Sequence, residues 1–258
     1  MLCGSTVLTA AASLSSDAAR AWTTYVSATE SRIASELASS KKFLAIDFDP
    51  DGATERRAVR GGTIVIRRIE TLDARGGRMS APSARIHHWR GDVLIRGVTV
   101  AQLMDRLESG ALPTQDDVER GSVLEREPGR LKLYLRLRRK MLVTVVYNTE
   151  HVATFTRYGG SRATSTSVAT KIAELADPDT VDERELSAGN DRGFLWGLRA
   201  YWRYEEVAGG AIAECESLAL SRDAPALVRY LVDPLIESTA RESMARTLNA
   251  LSTQFGHP

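Results

Sequence analysis

The spacing of apolar residues differs between successive segments in the first third of the chain. They recur at helical intervals between residues 16 and 39, which predicts a helix with one apolar face. Two shorter runs, residues 43–49 and 63–69, predict strands. Residues 71–85, TLDARGGRMSAPSAR, are rich in turn formers and mark the predicted domain boundary. We therefore expect an N-terminal helical extension with short strands over residues 16–80, and a second domain over residues 81–258.

After that boundary the pattern alternates with a period of two, which is typical of strands with one buried face. The predicted strands are residues 86–97, 121–127, 130–138, 141–150, 152–158, 162–175, 193–206 and 211–222. Thr99 and Gln102 form a capping box, which predicts a short helix directly after the first of them. A long helix is predicted from residue 225 onward. This order predicts an α+β fold in which an antiparallel sheet encloses space against the C-terminal helix.

One predicted strand concentrates large apolar side chains on a single face. They stand at even positions: Phe194, Trp196, Leu198, Trp202 and Tyr204. The odd positions carry Arg199, Tyr201, Arg203 and Glu205. The aromatic face either packs as core against the last helix or lines an apolar cavity, and the two alternatives can coexist along one strand.

The following strand places carboxylates among apolar residues. Glu214 and Glu216 share their face with Ile212, Leu218 and Leu220. Because a buried, unpaired carboxylate is costly, an inward Glu needs a partner such as Arg199, Arg203 or Arg222, or has a raised pKa. Such a group serves either acid–base chemistry or the orientation of a polar ligand head. The alternative is a bulge or twist that turns both carboxylates to solvent.

The charge balance excludes a general binder of nucleic acid or of membrane surfaces. Lysine and arginine number 34 against 33 aspartate and glutamate, and each half of the chain is as balanced as the whole. No stretch approaches the roughly 18 uninterrupted apolar residues of a membrane-spanning helix. We therefore expect neither a nucleic-acid partner nor an integral membrane span.

Motifs for metals and cofactors are missing from the sequence. The two cysteines, Cys3 and Cys215, form no zinc-binding spacing, and no two of the four histidines have the spacing of a metalloprotease helix. No phosphate loop, dinucleotide-binding glycine motif or nucleophile elbow is present. We expect no metal site and no cofactor.

The first residues resemble the end of an export signal. Residues 2–16 are small and apolar, and Ala10 and Ala12 offer an A-x-A-like cleavage site. The basic start of such a signal is missing, because the first cation is Arg20. We interpret residues 1–15 as a signal remnant and expect export to the periplasm or the exterior. A frayed terminus on a cytoplasmic protein is the alternative.

Three segments, HHWRGDVLIRGVT, LYLRLRRKMLVTVVYNTEH and GFLWGLRAYWRYEEVAGGAIAECESLALSRDAP, resemble the START-like (SRPBCC, helix-grip) superfamily. The chain looks closest to an exported bacterial group with no assigned activity. The resemblance implies a curved antiparallel sheet that grips the C-terminal helix around a cavity, which in many relatives binds apolar molecules. One segment departs from the pattern, because ESGALPTQDDVERG stands where relatives have an aromatic-rich second helix. The resemblance therefore implies an altered ligand entrance.

These observations favour a non-catalytic carrier or sensor of an apolar or amphipathic small molecule. The expected ligand-binding residues are Trp89, Tyr134, Phe194, Trp196, Arg199, Trp202, Glu214, Leu231 and Leu235. Two alternatives stay open. One is an enzyme of the cyclase, aromatase or hydrolase kind that uses an inward Glu as general base. The other is a protein-interaction module whose cavity has closed.

Overall fold

The structure is a computed structural model that describes residues 12–140, 144–223 and 229–256, without the side chains of residue 140 and residues 229–236. Most of the predicted signal remnant, residues 1–15, lies outside the described residues. The helices are α1 Ser16–Leu37, α2 Gly52–Arg60, α3 Val100–Glu108 and α4 Arg229–Phe255, with a 3-10 helix at Ala45–Phe48. The strands are β1 Val65–Arg68, β2 Ala84–Arg96, β3 Val118–Glu127, β4 Arg130–Lys140, β5 Thr144–Tyr158, β6 Arg162–Ala176, β7 Arg184–Glu185, β8 Gly197–Val207 and β9 Gly210–Arg222.

The strands form one antiparallel sheet. Within the described part of the chain, eight strands follow the order β1-β2-β9-β8-β6-β5-β4-β3, and β7 pairs with β6. Each inner strand is hydrogen-bonded on both sides, and the longest pairing joins β2 to β9 from Ala84 opposite Arg222 to Arg96 opposite Gly210. With α4 packed on this sheet, the predicted α+β helix-grip fold is confirmed.

The two sides of the sheet carry different partners. The helix face, which α4 contacts, presents Val93, Ile95 and Cys215 to Met244 and Leu248 in one apolar cluster. The outer face is covered by α1, the 3-10 helix and α2, whose apolar side chains pack in three smaller clusters against β2, β8 and β9. The central strands are therefore buried on both faces.

The helix and the sheet approach each other most closely at Gly91 of β2. A Cβ atom there would lie 2.6 Å from Leu248 Cδ1 and 2.7 Å from Met244 Cγ. The missing side chain lets the C-terminal half of α4 rest directly on the strand.

Most predicted elements are present, with three corrections in the described residues. The first is α2, Gly52–Arg60, which occupies a segment that the sequence predicts as a charged loop between two strands. The capping box of Thr99 and Gln102 begins α3 as predicted. The strand predicted over residues 43–49 is wrong, because the segment folds as a 3-10 helix whose first N–H groups are bonded to Asp47 and Glu214 carboxylates. The two strands predicted on either side of residue 151 are one long strand, β5, with an irregular register at Glu150 and His151.

Candidate functional site

A cavity of about 360 Å³ lies between the helix face of the sheet and the middle of α4. This volume falls within the range of roughly 300–1,000 Å³ that small-molecule sites have. The last turns of α4 touch the sheet directly, whereas the segment from Thr239 to Thr247 forms one wall of the cavity. The cavity therefore lies between the sheet and the part of α4 that precedes the contact with Gly91.

Small side chains leave this space open, and larger apolar side chains form its walls. The small residues on β8, β9 and α4 are Ala200, Ser217, Ala219, Ser221 and Ala240. The large apolar residues of the wall are Trp89, Leu135, Leu137, Phe194, Leu198, Trp202 and Met244. Trp202 also stacks on Tyr204, with ring centroids 6.1 Å apart and planes 1° from parallel. A wall of this composition is suited to an apolar molecule.

The polar groups of the wall are mostly satisfied by one another. His151 is buried, with Nε2 3.0 Å from Thr149 Oγ1 and Nδ1 3.4 Å from Ser167 Oγ. Thr149 Oγ1 donates to the Leu135 carbonyl and so accepts from Nε2, which assigns the proton to that nitrogen. Burial lowers the pKa of His151 to about 4, so the ring is neutral at pH 7.

Two further polar side chains of the wall differ in their partners. Arg139 is paired with Asp117 and donates to Ser243 Oγ on α4 at 2.7 Å. The hydroxyl of Tyr147 is buried and has no hydrogen-bond partner among the residues described. Burial raises the pKa of Tyr147, so the phenol stays protonated. Among the described residues, Tyr147 is therefore a donor without an acceptor.

A network of buried charges occupies the outer face instead of the cavity. Glu214 accepts hydrogen bonds from the backbone N–H groups of Ala45 and Ile46 at 2.6 and 2.9 Å. Arg90 is 1% exposed and pairs with Asp49, Glu55 and Asp92. These contacts attach the N-terminal segment to the sheet.

Two carboxyl groups meet within that network. Asp92 and Glu214 are direct partners in the β2–β9 register and are both fully buried. Burial, opposed by the Arg90 guanidinium, raises the pKa of Asp92 to about 6. Burial and the Asp92 carboxylate raise the pKa of Glu214 as well. The pair therefore binds a proton at a pH where isolated carboxyls are ionised.

Glu216 has the opposite environment. Its carboxylate accepts from His88 Nε2 at 3.1 Å, from Arg203 at 3.4 Å and from Arg32 of α1. Burial raises its pKa, but the hydrogen bond from His88 and the charge of Arg32 outweigh burial and lower the pKa to about 2. Glu216 is thus ionised and paired.

The structure brings together only part of the predicted ligand-binding set. Trp89, Phe194 and Trp202 line the cavity. Tyr134, Trp196, Arg199 and Glu214 are not among its lining residues. Leu231 and Leu235 belong to α4, but their side chains lie outside the described residues.

Each of these four placements has a physical reason. Tyr134 alternates with the leucines of β4 and donates to Asn148 Oδ1 at 2.8 Å on the outer face. Trp196 precedes β8, so the period of two does not apply to it, and its ring N–H donates to Asp191. Arg199 is on the outer face and pairs with Glu30 of α1 at 2.8 Å. Glu214 is buried on the outer face, where it binds the N-terminal segment rather than facing the cavity.

These placements bear on the two alternatives left open by the sequence. The enzyme interpretation names an inward Glu as general base, but Glu214 and Glu216 both face α1 and the 3-10 helix rather than the cavity. The interaction-module interpretation needs a closed cavity, but about 360 Å³ remains open between sheet and helix. The observations that would favour either alternative are therefore not found in the described residues.

Several lining residues were missed, and one signal points to most of them. Along β9, the residues on the other face of the strand from Glu214 and Glu216 are Cys215, Ser217, Ala219 and Ser221. All four line the cavity. A strand face made only of small side chains cannot fill the space against a helix. Tyr147 and His151 alternate with Asn148 and Glu150 and carry no comparable signal.

Two kinds of feature, metal-binding clusters and membrane-spanning helices, are not found in the described part of the chain. No group of three or more His, Cys, Asp and Glu side chains there is arranged to hold a metal ion. None of the helices in the described ranges combines the length and the apolar character needed to cross a bilayer.

No protein-family model matches this chain, and no curated protein matches it. Similar solved structures include the STAR-related lipid transfer protein of Xanthomonas axonopodis, with 16% identity, 68% of this chain and 95% of that chain covered, and a TM-score of 0.45. The Zhui aromatase/cyclase of Streptomyces sp. R1128 has 10% identity, covers 66% and 93%, and has a TM-score of 0.45. Human STARD10 has 9% identity, covers 84% and 84%, and has a TM-score of 0.44.

Proposed function

We propose that this protein binds an apolar or amphipathic small molecule between the sheet and α4, as a carrier or sensor. The observation that carries the proposal is the cavity of about 360 Å³ with Trp89, Phe194 and Trp202 in its wall. Transfer of an apolar ligand out of water into such a wall is favourable by roughly 25 cal/mol per Å² of apolar surface buried.

The chemistry of the cavity favours binding over catalysis. His151 is neutral and hydrogen-bonded to Thr149 and Ser167, and Arg139 is paired with Asp117. Cys215 lines the cavity, but burial raises its pKa, so the reactive thiolate is suppressed. A bound molecule would thus meet neutral or paired groups, which suits transport or sensing of an unchanged ligand.

The test is a titration with Nile red, a neutral apolar dye, against the full chain and the variant Ala219→Phe. Ala219 lines the cavity on β9, so the larger side chain fills space that a ligand needs. We expect Nile red fluorescence to rise on binding to the wild type and the affinity of Ala219→Phe to fall by about tenfold or more, which is about 1.4 kcal/mol.

The matched control is Ala101→Phe, the same substitution at an exposed position of α3. Its affinity for Nile red should equal that of the wild type. Absence of binding by the wild type, or equal binding by the wild type and a folded Ala219→Phe variant, would refute the proposal.

A further inference from the structure

The wall of the cavity contains a fully buried hydroxyl, that of Tyr147, which no described residue uses as a hydrogen-bond partner. Tyr147 is 2% exposed, and among the described residues its hydroxyl has no hydrogen-bond partner. An unsatisfied buried hydroxyl is costly, and a phenylalanine would fill nearly the same volume without that cost. Within the described residues the hydroxyl is therefore left available to a bound molecule.

Tyr147 lines two hollows. It is among the lining residues of the main cavity and of a second hollow of about 400 Å³, and Leu195 is shared in the same way. The second hollow has apolar lining from Leu14, Ile172, Leu186 and Trp196, and polar lining that includes the carboxylates of Glu174 and Asp191. A molecule that extends past Tyr147 would have apolar surface on both sides of the hydroxyl.

The two arginines near the hydroxyl already have carboxylate partners, and the nearby Asp191 carboxylate accepts from the Gly193 N–H and the Trp196 indole. Arg139 is paired with Asp117, and Arg192 is paired with Glu174 and donates its backbone N–H to the same carboxylate at 3.0 Å. An ionised ligand head would have to separate one of these buried pairs. An uncharged oxygen needs only the donor that Tyr147 offers.

We propose that Tyr147 is the polar anchor of the cavity, and that its hydroxyl donates a hydrogen bond to an uncharged oxygen of the ligand, such as a ketone, ester or alcohol. The proposal rests on the proposed function, since it assigns the chemistry of the molecule bound in the same cavity. It makes Tyr147 a residue that sets ligand specificity.

The experiment compares 9-fluorenone with fluorene, two probes that share their ring skeleton and differ by the carbonyl oxygen. Dissociation constants are measured by displacement of Nile red from the wild type, Tyr147→Phe and Tyr134→Phe. Tyr134 is the matched control because its hydroxyl is bonded to Asn148 on the outer face. We expect the wild type to prefer 9-fluorenone, and Tyr147→Phe to lose about five- to tenfold of that preference, as for one hydrogen bond. Tyr134→Phe should keep it.

The outcomes separate the two proposals. If both probes bind and the preference is the same in the wild type and Tyr147→Phe, the anchor is refuted and the proposed function stands. If neither probe binds the wild type, both proposals are refuted together. The fold is not expected to suffer in Tyr147→Phe, because the substitution removes only an unsatisfied group.

A second readout reports the hydrogen bond itself. The infrared carbonyl stretch of bound 9-fluorenone should lie at lower frequency in the wild type than in Tyr147→Phe, since a donated hydrogen bond weakens the C=O bond. Equal frequencies in the two proteins would refute the anchor even if affinities differed.

Discussion

At the scale of single residues, the Asp92–Glu214 pair shows how burial sets protonation. The two carboxyls are register partners on β2 and β9, and Arg90 donates to Asp92 Oδ2 at 3.0 Å. Two ionised carboxylates side by side in a dry site repel each other, so one proton is retained between them. The pair stabilises the fold in its protonated form and less in its ionised form.

We expect Asp92→Asn to gain stability relative to the wild type as the pH rises. The pKa of Asp92 is raised from an ordinary value of 3.8 to about 6, so its stabilising contribution is complete below pH 4 and is lost as the pH rises through 6. Asparagine cannot lose a proton, and the difference should grow by about 2–3 kcal/mol between pH 4 and pH 7.5. Urea unfolding at both pH values measures it.

Asp182→Asn, at an exposed position in the loop before β7, is the control and should show no such trend. A difference between Asp92→Asn and the wild type that stays constant or shrinks with rising pH would contradict the assignment of a raised pKa to this carboxyl.

Residue patterns alone predicted which side chains share a face of a strand. They did not predict whether α4 or the N-terminal segment covers that face. Glu214 and Glu216 share a face with Leu218, as their parity indicates, and both are buried near Arg203, one of the partners that the sequence left open. The covering element, however, is the segment from α1 to α2, which lies about 170 residues away in sequence. A local period carries no information on such a distant contact.

At the scale of elements, the contact between β2 and α4 determines where the cavity ends. Gly91 allows Met244 and Leu248 to rest on the strand, while Trp89, two residues earlier on the same face, already lines the cavity. The length of open space along α4 therefore depends on this one close approach.

Gly91→Val should destabilise the protein by about 1–3 kcal/mol, because the added side chain overlaps Met244 and Leu248 in a packed region. Chemical unfolding of the full chain checks it. Gly160→Val, in a turn where an added Cβ meets nothing within 4 Å, is the control and should change the free energy of unfolding by no more than about 0.5 kcal/mol. Equal stability of Gly91→Val and the wild type would show that α4 is not seated as described.

Most of the helices and strands were predictable, because alternation and capping are local signals. The strand predicted at residues 43–49 was wrong because a local signal does not report on contacts with distant residues. Its apolar run, FLAI, is compatible with a strand, but the segment is fixed as a 3-10 helix by the carboxylates of Asp47 and Glu214. The second of these groups comes from β9, so tertiary contact overrides local propensity.

At the scale of the whole molecule, the two faces of the sheet differ, because one carries buried ion pairs and the other carries the cavity proposed for binding. The outer face holds the buried ion pairs of Arg90, Arg203 and Glu216 under the N-terminal segment. Removal of one partner from such a pair is strongly destabilising, so the residues of this face serve to stabilise the fold. The helix face holds the open cavity. The near-neutral charge of the chain, 34 cations against 33 anions, agrees with recognition inside an apolar cavity.

Native mass spectrometry tests the binding of one apolar molecule in this cavity most directly. The purified full chain is equilibrated with a total lipid extract, and the same is done with Ala219→Phe and Ala101→Phe. We predict one bound small molecule per chain for the wild type and Ala101→Phe, and only the unliganded mass for Ala219→Phe. A wild-type spectrum that contains only the unliganded mass would contradict the proposed function.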